Sequence, residues 1–167
     1  LGFDYEIREE DKKIDFAVAQ IFNEKENKNM PTSMGLDEKA SDLVGVYKHE
    51  FNDKFSLNYN FAIDQNYGEF NYSDIGARAN LENFNFSVNY LEEKKHIGSN
   101  EYIKSKIEYN LDEGKNLSYE FKRNLVTDSS EFYNLSYEYF NDCLRAGLVY
   151  RREFYNDSEI EAENSLM

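Results

Sequence analysis

The chain of 167 residues has no tryptophan, one proline (Pro31) and one cysteine (Cys143). A lone thiol is either an inert small side chain or half of a disulfide whose partner lies elsewhere. Basic residues are scarce, 19 against 33 acidic, for a net charge of −14. No basic surface is therefore present to neutralise a nucleic-acid backbone, and a nucleic-acid role is excluded. Mean hydropathy is −0.82 with 40% apolar residues. No run approaches the roughly 18 apolar residues of a membrane-spanning helix, which excludes a helical membrane protein but not a β-barrel. No stretch sustains a helical period over about ten residues, so no helix is expected. A glycine-rich phosphate loop, a Ser/His/Asp order with supporting context and a carboxylate pair in an apolar pocket are all missing. No catalysis and no cofactor are expected.

Aromatic residues are plentiful instead: 16% of the chain, with 14 tyrosines and 13 phenylalanines. They alternate with polar residues. Phe55, Leu57, Tyr59, Phe61 and Ile63 alternate with Ser56, Asn58, Asn60 and Asp64, and only Ala62 among the intervening residues is not polar. The pattern recurs at Phe84, Phe86, Val88 and Tyr90, at Ile103, Ile107, Tyr109 and Leu111, at Leu117, Tyr119 and Phe121, at Tyr133, Leu135, Tyr137 and Tyr139, and at Leu144, Ala146, Leu148 and Tyr150. Leu1, Phe3, Tyr5 and Ile7, then Ile14, Phe16 and Val18, repeat it less cleanly. On a pleated strand every second side chain points the same way, so one face is apolar and the other wet.

Strands are expected near 1–9, 13–23, 42–51, 55–65, 69–81, 84–92, 101–111, 116–125, 132–141 and 143–155, with the stub of another at 165–167. Most match the roughly 9–11 residues a tilted strand needs to cross a bilayer. The connections alternate as well. Those at 10–12, 52–54, 82–83, 112–115 and 141–142 are short, and those at 24–41, 93–100, 126–131 and 156–164 longer, with 66–68 the weakest member of the series. Short turns at one rim and long loops at the other are the signature of an outer-membrane barrel wall. The expected fold is all-β: an antiparallel up-and-down meander of about ten strands, an open part of a large transmembrane β-barrel. If short turns are periplasmic, Asn141-Asp142 faces the periplasm. Leu1 and Met167 fall inside strands and no signal peptide is visible, so residues 1–167 are expected to be one partial domain whose missing strands belong to a larger polypeptide.

Other candidates carry little. His49 and His96 lack neighbouring ligands at metal-binding spacing. Asp157, Glu159, Glu161 and Glu163 could share divalent cations with phosphates, but their spacing follows no calcium-loop pattern and a solvated loop explains them better. Glu92-Glu93-Lys94-Lys95 reads as a solvated turn opening. The sequons at Asn71, Asn116 and Asn134 fall within strands of an asparagine-rich chain, where chance explains them.

A resemblance lies mainly in Ser136–Tyr150, which contains Asn141-Asp-Cys-Leu-Arg-Ala-Gly147, together with Arg151–Tyr155 and the loop Asn156–Asn164. This segment resembles the last hairpin of the LptD (OstA, organic solvent tolerance) family. Ala19-Gln20-Ile21-Phe22, a long loop with Gly35-Leu36, then Ser41-Asp42-Leu43-Val44-Gly45 resemble a second stretch in the same order. The similarity covers roughly residues 15–167. It implies a part of the outer-membrane translocon that inserts lipopolysaccharide into the outer leaflet, placed in the C-terminal part of the barrel, with the periplasmic N-terminal domain and the first barrel strands absent. The partners implied are an LptE-type plug lipoprotein, lipopolysaccharide and periplasmic transport-bridge proteins reached through the missing domain. Head groups would cross the polar interior while acyl chains leave sideways, driven by ATP hydrolysed at the inner membrane. In many members a cysteine at the place of Cys143 joins the barrel to the periplasmic domain, and the loop count independently puts Cys143 just after a periplasmic turn.

The wall reading also assigns faces. Leu57, Tyr59, Phe61, Phe86, Val88, Ile107, Tyr109, Tyr119, Leu135, Tyr137, Ala146 and Leu148 are expected to face lipid. Asn58, Asn60, Lys104, Lys106, Glu108, Glu120, Lys122, Glu138, Arg145 and Arg151 are expected to line the lumen. Another outer-membrane barrel, such as a porin or receptor, would share the alternation, and a soluble antiparallel binding sheet would share the strands.

Overall fold

The computed structural model describes residues 1–30, 32, 35–94, 99–112, 114–154 and 164–166. Among them there is no α-helix, only strands: β1 (Gly2–Glu9), β2 (Lys12–Ala19), β3 (Leu43–Asn52), β4 (Phe55–Ile63), β5 (Phe70–Asn80), β6 (Phe84–Glu93), β7 (Asn100–Asp112), β8 (Lys115–Asn124), β9 (Ser129–Phe140), β10 (Arg145–Glu153) and β11 (Asn164–Leu166). Each strand lies beside its sequence neighbours in the order β1 to β11, the antiparallel meander expected from the alternation.

Strand ends differ from expectation by a few residues, each for a local reason. β2 stops at Ala19 because the chain just beyond it pairs with the stretch that leads into β3, Asn23 N to Lys39 O and Asn27 N to Asp37 O, both 2.8 Å. The connection expected at 66–68 spans 64–69, longer than its neighbours at 53–54 and 81–83, whereas those expected at 126–131 and 141–142 span 125–128 and 141–144 and are equal in length, so the alternation does not extend to them. Within 64–69, Asp64 Oδ1 accepts from the amides of Asn66 and Gly68 at 2.9 and 3.1 Å, and Tyr67 takes a left-handed φ of 57°. Asn52, Asn124 and Asn141 close their turns in the same manner, by accepting from amides two and three residues on. The abundance of asparagine thus has a purpose at the turns, where its side chain substitutes for backbone acceptors.

The chain divides into two compact units, Leu1–Ala77 with Tyr90–Glu101, and Arg78–Asn89 with Tyr102–Met167. In the first, the register sets cross-strand rows. Phe3, Val18, Gly45 and Phe61 form one, Tyr5, Phe16, Tyr47 and Tyr59 the next, and Ile7, Ile14, His49 and Leu57 a third. Directly opposed residues in an antiparallel ladder share a face, so these rows build one largely apolar surface. Gly45 has a packing reason in its row. The Phe61 ring lies over it, and a Cβ there would come within 2.6 Å of ring carbon Cε1.

In the second unit, Tyr109, Leu117, Tyr137 and Leu148 make one row, and Ile107, Tyr119, Leu135 and Tyr150 the next. The residue that opens onto β8 must be glycine: Gly114 has φ +82°, and a Cβ would run into the carbonyl of Phe140, whose amide donates to Gly114 O at 2.7 Å.

Neither apolar surface is covered by protein among the described residues. Ala62 is the single buried apolar residue among those described, whereas Phe3 is 58% and Leu148 54% exposed. Covering a side chain of this size gains about 1.5–3 kcal/mol, so rows of them left open call for an apolar environment that these residues do not themselves supply.

Candidate functional site

The polar face follows from the same registers. In the first unit Glu6, Asp15, Lys48 and Asn58 form a row, followed by Asp4, Ala17, Val46 and Asn60. Asn60 Nδ2 reaches Asp74 Oδ2 at 3.4 Å, and Lys13 pairs with Asp15 at 2.8 Å. In the second unit Lys106, Glu120, Asn134 and Arg151 form a row, with Glu108, Ser118, Ser136 and Val149 on one side of it and Lys104, Lys122, Phe132 and Glu153 on the other. Asn116, Glu138 and Gly147 continue the surface, and Arg145 shares it. The ten residues expected on the wet side therefore all stand on the polar face of their own unit.

Ion pairs organise the second unit's polar face. Lys104 and Lys122 stand directly opposite each other, a repulsive arrangement. It is relieved by Glu120, 2.7 Å from Lys104, and Glu131, 2.7 Å from Lys122. Lys106 pairs with Glu108 at 2.5 Å, Arg145 with Glu138 at 3.2 Å, and Arg151 with Glu153. Ser118 and Ser136 hydroxyls meet across the ladder at 2.5 Å. These groups are partly exposed, so each pair is worth little in stability. What they provide is a polar face whose cations are matched by carboxylates.

Cys143 is exposed and unpaired. The expectation that it opens a strand is corrected, because β10 begins at Arg145 and Cys143 lies inside the turn at 141–144. Its amide donates to Asn141 Oδ1 at 3.0 Å, and Asn141 N donates to Leu144 O at 2.8 Å, so the turn is fixed while the thiol points outward.

His49 accepts or donates a 3.0 Å hydrogen bond at Nδ1 with the Tyr47 hydroxyl and stacks on Phe51 at 3.7 Å, an ordinary strand residue of the apolar face. No group of metal ligands occurs among the described residues. His96 and the acidic stretch Asp157, Glu159, Glu161 and Glu163 lie outside them. Glu92 and Glu93 belong to β6 rather than to a solvated turn, and Glu93 is buried beside Asn100.

The sequence matches the family model described as LptD, LPS transport system D, over residues 1–112. The chain belongs to the LptD family. Comparison with curated proteins gives no match. LptD proteins form an outer-membrane family serving lipopolysaccharide transport and assembly, a transport role rather than an enzymatic one. The matched residues include the stretch 19–45, one of the two on which the LptD resemblance rests, and stop before the hairpin at 136–164. β8 to β11 and Cys143 therefore stand on their own geometry.

One residue of the polar face escaped the sequence reading. Arg78 on β5 shares a recess of about 370 Å³ with Asn80, Asn85, Ser87, Lys106 and Glu108. Counting by twos from Asp74 along β5 would have placed it there.

Proposed function

We propose that this chain forms part of the wall of the translocon that inserts lipopolysaccharide into the outer leaflet. In this reading Asn58, Asn60, Lys104, Lys106, Glu108, Glu120, Lys122, Glu138, Arg145 and Arg151 line the lumen, and the exposed aromatic and aliphatic rows contact hydrocarbon. The observation that carries the reading is the separation of the two faces by register while the apolar one stays open. In water such a surface associates or aggregates; against lipid it is satisfied, and the backbone is satisfied by the ladder.

The polar face gives phosphorylated head groups a hydrated path, and the lumen also receives an LptE-type plug lipoprotein. Cys143, exposed at a turn on the side of the short connections, forms a disulfide with a cysteine outside these 167 residues, joining the barrel to a periplasmic domain that meets the transport bridge. Depletion of the full-length protein from its own cells tests the function. Lipopolysaccharide should disappear from the cell surface, and the protein should leave washed envelopes only with detergent. Unchanged surface lipopolysaccharide on depletion, or extraction without detergent, would refute the proposal. Non-reducing electrophoresis of the full-length protein should show a mobility change on Cys143→Ser; identical mobility would remove the disulfide.

A further inference from the structure

The geometry points to a phosphate-binding subsite around Arg78, on the polar face beside the short-connection end of the second unit. β5 and β6 are joined through Leu81 and Phe84, whose backbones exchange bonds of 2.7 and 3.2 Å. Extending that pairing sets Arg78 opposite Ser87 and Asn80 opposite Asn85. Lys106 and Glu108 of β7 complete the recess.

Charge singles out Arg78. Lys104, Lys106, Lys122, Arg145 and Arg151 each have a carboxylate partner on or beside this face. Arg78 has none among the described residues, in a chain where acidic residues outnumber basic ones 33 to 19. Lys106 holds Glu108 at 2.5 Å and so neutralises the one carboxylate lining the recess. The remaining donors are a planar guanidinium fork, the side-chain amides of Asn80 and Asn85 and the Ser87 hydroxyl. A guanidinium matches a phosphoryl group with paired N–H···O bonds, which ammonium groups do not reproduce. The ligand class is a phosphomonoester, carried by a phosphorylated glycolipid head group or supplied as free phosphate.

Location favours the glycolipid. Asn110 N donates to Asn83 O at 2.9 Å, and Phe140 N to Gly114 O at 2.7 Å, so the turn at 81–83, Gly114 and the turn at 141–144 line one end of this unit. If that end is periplasmic, cargo arriving from the periplasm meets Arg78 early on its way along the polar face. This step rests on the translocon reading proposed above.

The test uses the full-length protein in detergent with whatever partners co-purify, and three probes: native lipopolysaccharide from the same cells, that material after phosphatase treatment, and inorganic phosphate. Wild-type protein should bind native lipopolysaccharide about tenfold more tightly than the phosphatase-treated form. Arg78→Gln should abolish that discrimination, and Arg78→Lys should retain part of it. Undiminished discrimination in Arg78→Gln would overturn the subsite. If wild type binds neither lipopolysaccharide, the translocon reading fails, and Arg78-dependent binding of inorganic phosphate would then support a phosphate site with free phosphate as its ligand. Absence of that binding too would overturn the subsite along with the reading.

Discussion

The two faces of each unit are built from the same strands, yet they are held in opposite ways. On the apolar face, contacts are ring against ring: Phe84 on Tyr109 at 4.3 Å, Tyr119 beside Tyr133 at 6.4 Å, Phe61 beside Tyr59 at 5.4 Å. On the polar face they are ion pairs and amide contacts between partly exposed groups. The ladder satisfies the backbone for both, so side chains are free to specialise. The difference teaches that the solvent of a face can be inferred from what its residues lack. Among the described residues the apolar rows lack a covering layer, and the polar rows, whose groups pair with one another, need none.

Substitutions should expose this asymmetry, beginning with the most damaging. Leu148→Arg introduces a charge into the apolar row with Tyr137 and should cost about 2–4 kcal/mol at mid-membrane depth. Full-length protein carrying it should fail to accumulate in the outer membrane, as read by detergent extraction and heat-dependent electrophoretic mobility. Gly114→Ala comes next. It forces an L side chain into a left-handed backbone conformation and against the Phe140 carbonyl, at about 1–3 kcal/mol, which urea unfolding of the assembled barrel would register as a lowered midpoint. Glu120→Gln removes the partner of Lys104 and leaves Lys104 opposite Lys122; about 1 kcal/mol or less is expected, shrinking further in high salt. Arg145→Ala, on a polar face where its ion pair is exposed, should change assembly and stability by less than about 0.5 kcal/mol. Equal tolerance of Leu148→Arg and Arg145→Ala would erase the distinction between the faces.

Most of this arrangement was legible in the sequence because strand facing depends on parity alone. Once Leu57, Tyr59 and Phe61 are assigned to one strand, Asn58 and Asn60 must point the other way, whatever else the chain does. The turn ends were less legible. Asn141 recruits two amides and thereby delays β10 to Arg145, which moves Cys143 from a strand into a turn. Asp64 does the same for 64–69. Such side-chain capture of the backbone competes with the ladder locally and leaves the alternation untouched. Arg78 was hidden for another reason: its significance depends on which neighbouring cations already have carboxylates, a matter of cross-strand register rather than of any motif.

The facing itself is tested most directly by a cysteine scan along β8 and β9 in a full-length Cys143→Ser background, assembled in membranes. Each position is probed in turn with a fluorophore quenched by brominated lipid tails and with a membrane-impermeant thiol reagent. Tyr119, Phe121, Leu135 and Tyr137 should be quenched by lipid and poorly labelled from water, and Glu120, Lys122 and Asn134 the reverse, with a strict two-residue period. A uniform response along both strands, or the opposite phase, would contradict the account.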